Sequence, residues 1–254
     1  MNKEVFIVAD DLGIHSLIND GIIYCLKNNL ISGASLMANG EGTSDAINKV
    51  KSFPAHLNIG IHFTFVEEKP LTSKKFPSNY KEFFIKYILG KINLKDVEEE
   101  LRAQINLLKN SGIRISFINS HQHLHLLPGI TDIVIKLAKE NNIDYIRTIS
   151  EPWSMKGGLS RGLQSIFLSI LSNITRKKIK EAHLSTNDIF IGFLHAGNLQ
   201  EEDINFANEL SLKYPNKIIE LGCHPGFESE ELKRKYKNWG NYNWQKELQT
   251  LKAN

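Results

Sequence analysis

Two apolar rhythms alternate along this chain, and that exchange constrains its fold more than any other feature. Short continuous apolar runs fall at 4–9, 32–37, 58–63, 114–118, 144–148, 188–193 and 217–222. Between them lie longer segments with helical spacing: one through Ile18, Ile22, Cys25 and Leu26, one around 46–50 before Pro54, and others at 80–89, 94–109, 130–140, 160–181 and 201–213. Gly112 is a glycine stop for the fourth of these. Strand followed by helix, about seven times over, predicts a parallel sheet with right-handed crossovers. With no Gly/Ser/Pro-rich linker and no repeat, one distorted α/β barrel is favoured over an open doubly wound sheet.

Composition narrows the class. A hydrophobic share of 41% with 23% charged residues excludes a disordered or collagen-like chain. The excess of 31 Lys+Arg over 28 Asp+Glu leaves +3, too mild to imply a nucleic-acid partner. Two cysteines, Cys25 and Cys223, cannot form a disulfide framework, which points to a reducing compartment. The first apolar run reads as a buried strand rather than a signal peptide, and no stretch reaches the ~18 apolar residues of a membrane span. A soluble cytoplasmic protein is expected.

The polar residues are not scattered. Asp10 and Asp11 follow the first predicted strand, and His62, His121 with His123 and His125, His195 and His224 lie at or just past the ends of others. In an α/β barrel those C-terminal ends converge on one face, where active sites are built. Neighbouring side chains of a strand point to opposite faces, so two adjacent acids serve one site only if the chain turns there, and Gly13 permits that turn. Their mutual repulsion is relieved by a cation between them. In Asn119-Ser120-His121-Gln122-His123-Leu124-His125 the strand is expected to end near Ser120, with His121 at the barrel mouth and the other histidines lining the next loop. Pro225-Gly226 turns the chain immediately after His224 and presents its imidazole. Cys223 should point the other way, which argues against a Cys–His nucleophile pair.

Four segments carry a resemblance. Val8-Ala9-Asp10-Asp11-Leu12-Gly13, Gly60-Ile61-His62-Phe63-Thr64, the triple-histidine segment and Glu220-Leu221-Gly222-Cys223-His224-Pro225-Gly226 resemble the YdjC-like carbohydrate deacetylases, in family order and across almost the whole chain. The resemblance implies a single deacetylase domain over 1–254, a distorted, roughly seven-stranded β/α barrel, and one divalent metal, magnesium or zinc among the candidates. By position it makes Asp11, His62 and His121 the metal ligands, Asp10 the general base and His224 a general acid. It leaves His123 and His125 in a supporting or substrate-facing role. One departure is Asn119, where the family carries Asp; if that Asp orients a ligand histidine, Asn119 is a neutral substitute.

The implied substrate is an N-acetylated oligosaccharide or a lipid-linked sugar. Arg147, at a strand end, is a candidate for a charged substrate group. Among Trp153, Trp239, Tyr242 and Trp244, Trp153 is the favoured stacking surface because it follows a predicted strand. Leu163, Ile166, Phe167, Ile170, Leu171 and Ile174 form an amphipathic stripe running into Arg176-Lys177-Lys178-Ile179-Lys180. The stripe suits a helix packed on the barrel, a homodimer contact or a peripheral membrane contact. Two competing readings are an amidohydrolase-type enzyme and a glycan-binding homologue that has lost turnover. The first wants His-x-His after the first strand and a late Asp, and neither is present.

Overall fold

The computed structural model describes residues 5–53, 57–155, 157–239 and 242–253. Pro54, named above, lies outside the described residues, as does the first residue of the 4–9 run. Seven strands are present among the described residues: β1 (Phe6–Leu12), β2 (Gly33–Leu36), β3 (Ile59–Phe63), β4 (Phe117–Ser120), β5 (Tyr145–Ile146), β6 (Ile189–Ile191) and β7 (Ile219–Cys223). All pairs are parallel, in the order β5-β4-β3-β2-β1-β7-β6. The sheet curls into a distorted β/α barrel, as its alternating rhythm predicts. β2, β3, β4 and β7 are buried along their whole length, which is why they read as unbroken apolar runs and not as alternating ones.

The helices are α1 (Ser16–Lys27), α2 (Thr43–Lys51), α3 (Tyr80–Ile88), α4 (Leu94–Asn110), α5 (Ile130–Glu140), α6 (Leu159–Glu181), α7 (Glu201–Lys213), α8 (Glu230–Lys235) and α9 (Trp244–Ala253). Side-chain caps start several of them: Asn79 accepts from the Glu82 amide at 3.0 Å, and Asn93 from the Lys95 amide at 3.0 Å. Among the described residues no helix is long and apolar enough to cross a membrane.

The edge strands β5 and β6 do not form a ladder with each other. A side chain laces the seam between them. Asn187 accepts from the Thr148 amide at 2.7 Å and donates to the Thr148 carbonyl at 2.7 Å, so one amide does the work of a strand partner. Phe190 N–H adds a bond to the Ser150 carbonyl at 3.1 Å.

The connection across that seam is α6, which packs on the barrel with only part of its apolar stripe. Leu171, Ser165, Ser172 and Thr175 are buried on its barrel side, and Ser172 accepts from the Ile149 amide at 2.8 Å. Most of the apolar stripe faces outward instead: Leu163 is 62% exposed, Ile170 56% and Ile174 50%. The basic end is largely engaged, with Lys178 on Asp132 at 2.6 Å and Arg176 on the Asp188 carbonyl at 3.2 Å.

Candidate metal centre

The site begins with a fault in β1. Its pairing with β2 shifts register between Ala9 and Leu12, and Asp11 there has φ +64°. Left-handed backbone is costly for a residue with a Cβ but least so for Asp and Asn. Here it turns two consecutive carboxylates towards one place. The turn expected at Gly13 is real (φ +99°), but the bulge at Asp11 is what breaks the strand's alternation. Asp10 and Asp11 are both almost fully buried.

Around Asp11 the C-terminal ends of β3 and β4 bring two imidazoles. Asp11 Oδ1 lies 3.2 Å from His62 Nε2 and 3.2 Å from His121 Nδ1. One ligand atom from each of these three residues falls within 4.8 Å of the others. Asp11 Oδ2 is buried without a hydrogen-bond partner among the described residues. A carboxylate with one oxygen between two imidazoles and the other unpartnered fits a divalent cation, which would supply the missing partner. The environment already favours positive charge: burial opposes protonation of His121, yet the Asp11 and Glu67 carboxylates override it and hold the imidazole up to about 10.

Each ligand candidate is held from behind. His62 and Asn119 sit opposite one another across the β3–β4 register. His62 Nδ1–H donates to Asn119 Oδ1 at 2.7 Å, while Asn119 Nδ2 donates to Asp10 Oδ1 at 2.9 Å. A single amide therefore accepts on one side and donates on the other, which a carboxylate at 119 cannot do. The neutral substitute anticipated from the sequence is thus fully bonded. Glu67 Oε2 accepts from His121 Nε2–H at 2.9 Å, fixing that ring with Nδ1 towards Asp11. Trp239 packs against the same ring, centroids 4.6 Å apart.

Asp10 lies beside this cluster, 3.9 Å from His62 Nδ1, and lines the cavity. Ser35 Oγ donates to it at 2.8 Å, and Arg147 Nη1 pairs with its other oxygen. Burial alone would raise its pKa, but Arg147 and His62 outweigh burial and hold it well below the usual carboxylate range. It is ionised at every working pH.

β7, the other neighbour of β1, is followed at once by His224, which lines the same cavity. Its backbone N–H is held by Glu247 of α9, which also accepts from the Leu199 amide at 3.0 Å. Close packing sets the turn that follows, since a Cβ on Gly21 of α1 would stand 2.4 Å from the Gly226 Cα. The Tyr242 ring meets His224 edge-on at 5.1 Å. The cavity measures about 720 Å³ and includes Asp10, His62, His121, His123, His224, Trp239 and Tyr242 in its wall.

Three of the proposed substrate contacts lie elsewhere. Arg147 is wholly buried, with Nε on Glu220 Oε1 at 2.5 Å and Nη1 on Asp10. Two carboxylates consume its charge, so it serves the interior and not a substrate. His125 points into the protein, accepting from Ser120 Oγ at 2.6 Å and donating to the Arg147 carbonyl at 2.9 Å. Burial pushes its imidazole down to about 4, so it is neutral. Trp153 is 86% exposed and outside the cavity wall; position after a strand end is a weaker guide than the turn that carries the side chain away. Cys223 faces away from the site as expected, its Sγ 3.5 Å from the Val8 carbonyl, and burial keeps the thiol protonated.

Sequence reasoning missed Ser35, Glu67, Glu220 and Glu247. Glu67 and Ser35 share the position that singled out the histidines, at or just past a strand's C-terminal end, so the same rule finds them. Nothing local marks Glu247, whose partners are 23 and 48 residues away.

A family model described as YdjC-like protein matches residues 4–254. A carbohydrate deacetylase of Oceanobacillus iheyensis is 28% identical over 204 residues, covering 74% of this chain and 86% of that protein. One from Vibrio parahaemolyticus is 26% identical over 250 residues, covering 97% and 86% respectively. A solved structure of an Enterococcus faecalis protein named for cellobiose-phosphate cleavage superposes with TM-score 0.73 at 20% identity, over 99% of this chain and 91% of the other. That likeness supports the same barrel.

Proposed function

The chain belongs to the YdjC-like family, and from that premise we propose that it hydrolyses the acetamide of an N-acetylated sugar in a divalent-metal-dependent reaction. The relatives named carbohydrate deacetylases support the reaction class. The observation that carries the reading is the buried Asp11, His62 and His121 cluster, with a carboxylate oxygen lacking any other partner, beside an ionised Asp10.

An acetamide is a poor electrophile with a poor leaving group. Asp11, His62 and His121 would hold a divalent cation, which would supply Lewis-acid activation of the acetyl carbonyl and the attacking water. Asp10, held in place by Ser35, Asn119 and Arg147, accepts the water proton. Its three donors leave it no freedom to swing away. His224, in the wall of the same cavity, gives a proton to the departing nitrogen. Water's oxygen ends on acetate, the C–N bond breaks, and the sugar leaves with a free amine. His121 and His62 each present one nitrogen to the cation because Glu67 and Asn119 occupy the other. Trp239 and Tyr242 replace Trp153 as the aromatic surfaces offered to the sugar ring.

Metal analysis of the purified protein combined with an acetate-release screen over N-acetylated mono- and oligosaccharides tests this. About one divalent ion per chain and acetate release that chelation abolishes are expected. A metal-loaded protein that frees no acetate from any of these sugars, nor from their lipid-linked forms, overturns it.

A further inference from the structure

The cavity has two chemically different halves. One carries Asp10, His62, His121, His224 and Trp239. The other is walled by α3 and α6, with Phe84, Ile85, Phe167, Leu168 and Leu171, continued by Leu124 and Leu127. This half also carries Lys81, Ser160, Arg161 and Gln164, but its aliphatic and phenyl surface offers a sugar's hydroxyls no hydrogen-bond partner. Lys81 and Ile85 of α3 and Phe167 of α6 line the cavity and are also exposed, so it opens to solvent between these two helices. The Phe84 and Phe167 rings meet edge to face at 5.5 Å across that opening.

The apolar wall does not stop at the mouth. It runs onto the outward stripe of α6 and onto α3, where Ile85 is 59% and Ile88 65% exposed. α6 buries Ser165, Ser172 and Thr175 along with Leu171 and Ile179, while Ile166, Ile170 and Ile174 reach solvent, so much of its apolar surface is left uncovered. Two cations stand at the same rim. Arg161 lies over the Phe193 ring at 4.8 Å and Lys81 over Tyr80 at 5.9 Å; neither pairs with a carboxylate among the described residues.

We propose that the substrate is amphiphilic: an N-acetylated sugar joined to a long apolar chain, with the sugar at Asp10 and His224 and the chain lying between α3 and α6. This rests on the deacetylase reading and specifies its substrate class. The continuity of the apolar wall with the reaction cavity favours this occupant over a second copy of the protein, which would cover the opening between α3 and α6. Lys81 and Arg161 suit a negative group near the junction of sugar and chain, or the charged surface from which such a lipid is drawn.

Alkyl glycosides of N-acetylglucosamine with one, four, eight and twelve carbons, each below its critical micelle concentration, test this by calorimetric binding and by acetate release. Full burial is worth at most ~0.8 kcal/mol per methylene. A Kd that falls at least about tenfold from the methyl to the octyl glycoside is therefore a modest requirement. The dependence on chain length should flatten in Phe167→Gln and in Ile85→Gln. Both positions are solvent-reaching, and retained metal content and melting temperature report that the variants are folded. Affinity that is independent of chain length in the wild type overturns the proposal, whether or not acetate is released. So does a dimer sealed through this face, seen as a doubled mass that Phe167→Gln halves while the alkyl chain has no effect. Binding that tightens with chain length while no glycoside loses acetate upholds the apolar channel and removes the deacetylase reading alone.

Discussion

At the scale of single residues, neighbouring carboxylates are given different tasks by their surroundings. Asp10 is saturated with donors and ionised, whereas Asp11 keeps one oxygen bare. Replacing Asp10 by Asn keeps the shape but removes the proton acceptor. Turnover should fall by about 10²–10⁴-fold while metal content stays near that of the wild type. His121→Ala should instead lose the ion, measured as metal per chain after gel filtration. Equal metal loss in both variants would reverse these assignments. The sequence made Asp11, His62 and His121 legible because each lies at a strand end, and distance in the chain is no obstacle to that rule. The division of labour between the acids was less legible. It depends on a left-handed backbone at Asp11 and on Asn119 reaching across from β4, which only pairing reveals.

At the scale of elements, the helices at 130–140 and 201–213 fall where their periodicity puts them. The fourth strand starts later than its apolar run at 114–118: it runs Phe117–Ser120, ending at Ser120 as expected. Asn119 and Ser120 belong to loops by propensity, yet both are fully buried in the strand because their side chains serve the site. Tertiary bonding overrides propensity here. The last helix, α9, leaves a signal in the spacing of Trp244, Leu248 and Leu251, all buried, although nothing in that spacing ties it to the site. Its Glu247 holds two backbone amides, one of them His224 N–H. Glu247→Ala strands both, at ~1–3 kcal/mol each. A melting temperature lower by roughly 5–15 °C follows for a chain of this size. If the helix also aims His224, kcat should fall by about tenfold or more at unchanged metal content. A stability loss with kcat intact would confine Glu247 to a structural role.

At the scale of the whole molecule, a buried charge network ties β1, β5 and β7 together through Asp10, Arg147 and Glu220, with Tyr145 donating to Glu220 at 2.6 Å. Removing the single cation leaves two carboxylates uncompensated in the interior. Arg147→Leu should cost about 3–5 kcal/mol and lower the melting temperature by roughly 10 °C. Arg147→Leu with Glu220→Leu should recover part of that loss, and differential scanning calorimetry separates the two. A saturating divalent ion should act in the opposite direction. At a hundredfold excess over Kd it adds about 2.7 kcal/mol, read as a melting temperature higher by roughly 5–10 °C that chelation reverses. A shift that persists in His121→Ala would locate the ion elsewhere.

The strand order leaves β5 and β6 joined by one asparagine amide and a few backbone bonds, and α6 bridges that joint while carrying the apolar side of the cavity. Elsewhere around the barrel, sliding a helix outward strains a full ladder; here it strains almost none. Backbone deuterium uptake should therefore begin at 147–150 and along α6, the same helix that walls the apolar mouth of the cavity.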